Sequence, residues 1–158
     1  MFGFFRNRRA IRDARTKIGI DLHRQIRDAL AQDEKNTAEM LSTSFTAGYI
    51  YWFVRLAFDC LGVNGERAVE SELQHICDGV LSKKLYDIYN RQMAALQLAT
   101  TIKDEDRVLP GVKFSPAQAI AQYDLASKAA RYDAPLVSLQ AIKASNLTKY
   151  LLGQKLTL

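Results

Sequence analysis

The stretch Phe45-Thr46-Ala47-Gly48-Tyr49-Ile50-Tyr51-Trp52-Phe53-Val54-Arg55-Leu56-Ala57-Phe58-Asp59-Cys60-Leu61-Gly62-Val63 decides the fold. It has nearly the length of a membrane span, but Arg55 and Asp59 inside it are each expensive at a bilayer centre. It therefore reads as a buried helix of a globular bundle. Working backwards, Asn36 with Glu39 three positions on has the form of a capping box, so the helix is expected to run from about 37 to 62 and to stop at Gly62 and Asn64-Gly65.

Upstream, Ile11, Ala14, Ile18, Leu22, Ile26 and Ala29 recur at spacings of three and four, which predicts an amphipathic helix over about 7–32. Its apolar stripe is placed to pack within the chain or across a two-fold axis. Downstream, a helical pattern over about 66–102 changes register beside Gly79, from Val69, Leu73, Ile76 and Val80 to Leu81, Leu85, Ile88, Ala95, Ala99 and Ile102, and this predicts a kink there. A charged cluster, Lys103 to Arg107, leads to Pro110-Gly111, the clearest loop signal in the chain. Ser115-Pro116-Ala117-Gln118 opens a fourth, alanine-rich helix to about Tyr132. Asp133 is expected to cap a fifth, which carries Leu136, Leu139, Ile142, Leu147, Tyr150 and Leu151 to Gly153. The last five residues are expected to fray or to dock on a partner.

No strand-like alternation and no internal repeat is evident, so the fold class is all-α. The expectation is one compact bundle of about five helices over 1–158, with a long, strongly hydrophobic central helix. Residues 1–10 are expected to form a flexible basic and aromatic lead. At 158 residues and 48% hydrophobic, the chain can bury a core without staples. Cys60 and Cys77 are expected to be small buried hydrophobes in a reducing, cytoplasmic compartment.

Charge is lopsided. Residues 1–27 hold eight basic against two acidic residues, +6, and the rest of the chain balances at −1. Phe2, Phe4 and Phe5 precede Arg6, Arg8, Arg9, Arg12 and Arg15, a pattern that suits an anionic membrane surface or an acidic protein partner, and nucleic acid less well, since no recognised motif accompanies it. The structural alternative is a solvated helix start whose phenylalanines cover one end of the bundle.

On the central helix, Ser44, Gly48, Trp52, Arg55 and Asp59 form the one polar line, flanked by Tyr49 and Tyr51. Arg55 and Asp59, four apart, are expected to pair. Tyr51, Trp52, Arg55 and Asp59 are also the candidate ligand-binding residues, with arginine and aromatics suited to an anionic or planar molecule and Gly48 allowing close approach. Glu72-x-x-His75 has half the spacing of a di-iron bundle site, but His23 lacks a matching partner, so a structural role is expected and no metal. No phosphate loop, nucleophile elbow or Cys-x-x-Cys occurs, and neither a catalytic residue nor a cofactor is indicated. The expected function is a helical interaction or assembly module, self-associating as a homodimer. The alternatives are peripheral membrane attachment through the N-terminal helix and a small-ligand site.

Overall fold

The computed structural model describes residues 2–81, 84–101, 115–137 and 145–158, with side chains from Asn7 onward in the first helix. Seven α-helices lie among these residues: α1 (Phe2–Gln32), α2 (Glu34–Leu41), α3 (Ser44–Cys60), α4 (Gly65–Leu81), α5 (Lys84–Thr101), α6 (Pro116–Asp133) and α7 (Asn146–Leu151). A 3-10 turn, Ala134–Val137, follows α6. None of them is long and apolar enough to cross a membrane. The all-α class holds, while the five-helix count and the long central helix do not.

The expected central helix is two helices. Asp33, not Asn36, caps the first, its carboxylate accepting the Asn36 N–H. The break follows Leu41, where hydroxyls compete with the backbone ladder. Thr43 and Thr46 both donate to the Met40 carbonyl at 2.8 Å, and Thr43 turns back to cap α3. At the far end α3 closes in a Schellman motif. Gly62 takes φ +79, its N–H reaches the Asp59 carbonyl at 3.1 Å, and the Val63 N–H reaches Phe58 at 2.9 Å.

The expected third helix is also divided, and not at Gly79, which lies inside α4. α4 ends at Leu81 and α5 begins at Lys84, and both helices pack against α3 and against each other. The Ser115–Gln118 capping box is present in both directions. Asp133, however, ends α6 instead of opening a helix, and α7 is capped by Ser145. Ile102, the charged cluster at 103–107, Pro110-Gly111, Leu139 and Ile142 lie outside the described residues.

Packing is organised around α3. Phe45, Ile50, Phe53, Val54, Ala57 and Phe58 are fully buried, each phenylalanine contributing about 1.5–3 kcal/mol through the water it sheds. Tyr49 stacks with Phe53 at 5.5 Å, and Phe45 with Tyr150 of α7 at 3.8 Å. The alanines of α6 let it lie so close to α3 that a Cβ at Gly48 would stand 2.7 Å from the Tyr123 ring and 3.2 Å from Ala126. On α1, Ala14, Ile18, Leu22, Ile26 and Ala29 are all buried in the same core. The tail does not fray but is tied to the bundle. The Asn146 amide donates to the Thr157 carbonyl at 2.7 Å and accepts the Thr157 N–H at 2.7 Å, while Leu156 packs on the core.

Candidate functional site

Two surfaces carry the residues that the sequence singles out. The first lies over Trp52. Helix geometry brings Tyr51, Trp52 and Arg55 together: Tyr51 meets the indole edge-on at 5.4 Å, and the Arg55 guanidinium lies 5.1 Å from its centroid while donating to the Tyr51 hydroxyl at 3.4 Å. Asp59 does not join them and does not pair with Arg55. Its carboxylate accepts the Gly65 N–H at 2.8 Å, satisfying one of the unpaired donors at the start of α4, and Asn64 caps the next turn through Arg67 N–H. A pair four apart on a helix was the economical expectation; the tight α3–α4 turn offers Asp59 a donor that no helical spacing reveals.

Gly48 does not admit a ligand to the backbone either, because the Tyr123 ring occupies that space. The structure adds residues from elsewhere. Arg131 of α6 places its guanidinium 5.4 Å from the Trp52 centroid, so two cations share one ring. Burial pushes the Tyr123 phenol up, with the Trp52 N–H and Arg55 pulling the other way. Neither Arg131 nor Tyr123 carried a sequence signal, since both sit in an alanine-rich helix whose pattern speaks of packing alone.

The second surface is the outward side of α1. Arg8, Arg9 and Arg12 are exposed; Arg15 is half-buried and its guanidinium bonds Glu72 of α4 at 2.7 Å. Glu72 is thereby engaged, and His75 is exposed. Among the described residues no group of three or more potential metal-binding side chains is gathered. The side chains of Phe2, Phe4, Phe5 and Arg6 lie outside the described residues, although the helix already runs from Phe2. Between α1 and α4 a cleft of about 330 Å³ opens, lined by Thr16, Gly19, Ile20, His23, His75 and Gly79 among others. Nothing stands within 4 Å of where a Cβ would be at Gly19 or Gly79. On the rim of the cleft, Ile20 is 63% exposed, whereas Ile18 and Ile26 of the same helix are fully buried. The α1 periodicity assigned residues 18 and 22 to the stripe and left Ile20 unexplained on the polar side.

Cys60, at the end of α3, is exposed, contrary to expectation, and Cys77 is buried. Burial pushes the Cys77 thiol up to about 12. No family model, curated protein or solved structure matches the chain.

Proposed function

We propose that this chain is a helical assembly module that associates with a second copy of itself through the outward face of α1. The observation that carries the reading is the placement of Ile20, a 63% exposed apolar knob, beside the open cleft over Gly19 and Gly79 on the same surface. A two-fold contact needs such self-complementarity, because each copy must present both the knob and the hole. The buried stripe of Ile18 and Leu22 takes no part, being engaged in the chain's own core.

Charge modulates this contact. Lys17 and Arg24 flank Ile20; Arg24 is compensated by Asp21 at 2.7 Å, but two α1 faces that meet bring the exposed Lys17 ammoniums near one another. Added salt screens that repulsion and strengthens an apolar contact. Native mass spectrometry and light scattering on the full chain test the reading. The wild type is expected to show twice the chain mass, increasingly so with salt, and Ile20→Glu one chain mass with unchanged helicity by circular dichroism. A wild type that stays at one chain mass across concentration and salt overturns it.

A second reading rests on a separate observation. Residues 7–10 are all exposed, and Arg8, Arg9 and Arg12 lie together on the solvent side of α1. That geometry suits peripheral binding to an anionic bilayer, at about 1 kcal/mol per basic residue near the surface. Flotation with anionic vesicles tests it; protein left at the bottom of the gradient at low salt removes it.

A further inference from the structure

Two arginines from different helices converge on one indole, and this arrangement has a cost. Each guanidinium gains from the face of the Trp52 ring, yet two cations drawn to one ring repel each other. Among the described residues no carboxylate lies within ion-pair distance of either one. Arg55 has the neutral Tyr51 hydroxyl at 3.4 Å, while Asp59 and Glu66 act on it only through space and Asp59 is bonded to Gly65. Arg131 has the indole. The Trp52 Nε1–H is buried and faces the Tyr123 hydroxyl, which leaves the two guanidiniums as the donors open to a ligand. Arg131 is exposed, so the cluster opens to solvent between α3 and α6.

We propose that Arg55 and Arg131, with Trp52 between the helices that carry them, form a binding site for a small oxyanion, of which a phosphate group is the best match. A guanidinium presents paired N–H donors matched to the oxygens of phosphate or carboxylate. An oxyanion bound by these guanidiniums offsets their mutual repulsion. Asp59, being committed elsewhere, is not part of this site.

Trp52 is the sole tryptophan of the chain, so its fluorescence reports the site directly. The experiment titrates the full-length protein with inorganic phosphate, with acetate as the carboxylate arm and sodium chloride at matched ionic strength as the control. The expected result is a saturable change with phosphate, absent with chloride, whose midpoint rises roughly tenfold or more in Arg131→Gln and in Arg55→Gln, both checked for unchanged helicity. Saturation by acetate and not by phosphate also supports the oxyanion site and assigns it to carboxylates. Equal responses to phosphate and chloride, no response at all, or a phosphate response that both variants retain overturns the proposal, the last marking an adventitious ion only.

Discussion

The Tyr49 hydroxyl donates to the Asp133 carboxylate at 2.7 Å inside the bundle, tying the middle of α3 to the end of α6. The same oxygen of Asp133 accepts the Asn146 N–H at 2.7 Å, and its other oxygen faces the Asn146 amide at 3.3 Å. Asp133 is 2% exposed, so neutral donors, not an ion pair, hold the carboxylate that joins α3, α6 and α7.

Burial raises the Asp133 carboxyl above its ordinary range, and Tyr49, the Asn146 N–H and Lys149 oppose that rise. The folded chain therefore binds this proton more tightly than the unfolded one. Asp133 contributes more to stability as pH falls through the window just above the ordinary carboxylate value, and less as pH rises out of it. Tyr49→Phe removes a donor to the ionised form, so it is expected to cost about 1–3 kcal/mol near neutral pH and less near pH ~5. Urea denaturation at the two pH values checks this; equal penalties at both reject the role of the charged carboxylate.

Two glycines of α4 are expected to respond to alanine in opposite directions. A Cβ at Gly65 would stand 2.0 Å from the Arg55 carbonyl oxygen, a backbone atom that cannot step aside. Gly65→Ala must therefore part the α3–α4 turn, with a loss of about 3 kcal/mol or more. At Gly79 nothing lies within 4 Å, and alanine there is expected to add about 0.5–1 kcal/mol through helix propensity. Denaturant midpoints of the two variants, taken at low protein concentration, decide the matter, and losses of similar size in both contradict it.

The cysteines are expected to separate by accessibility. Cys60 is exposed, although desolvation and then Asp59 raise its thiol, so a disulfide reagent should modify it slowly at neutral pH and faster as pH rises. Cys77 should react after unfolding alone. Counting modified thiols by mass with and without denaturant checks this, and two fast thiols in the native protein would be inconsistent with the packing of α4.

Asn146→Ala should release the C-terminal tail. The side chain supplies both bonds to Thr157, and its loss leaves the buried Asp133 short of a donor, for about 1–3 kcal/mol in total. Limited proteolysis is expected to cut residues 154–158 from the variant first, while the wild type keeps them. Equal cutting rates would show that Leu156 packing, not Asn146, holds the tail.

Much was legible before any coordinates. Three- and four-residue spacing located the α1 stripe, and the Ser115 box and the glycines at 62 and 153 marked real helix ends, because caps and periodicity are written into a few consecutive residues. The break at Thr43 escaped that reading since Met40, Ser42, Thr43 and Thr46 are each compatible with a helix, and the hydroxyls win only when the neighbouring core turns the chain. Asp133 read as a cap for the same reason: its type suits a helix start, while its actual partners are Tyr49 and Asn146.

What the sequence determined by itself was the class of the fold, the concentration of positive charge in the first 27 residues and the apolar stripe of α1, all properties of neighbouring residues along the chain. Tertiary structure alone decided that Asp59 bonds Gly65 instead of Arg55, that Arg131 joins Arg55 at Trp52, and that Ile20 stands exposed beside an open cleft. These relationships depend on which helix lies across from which, and a helix that buries one face leaves the pairing of its other faces to the packing of the whole bundle.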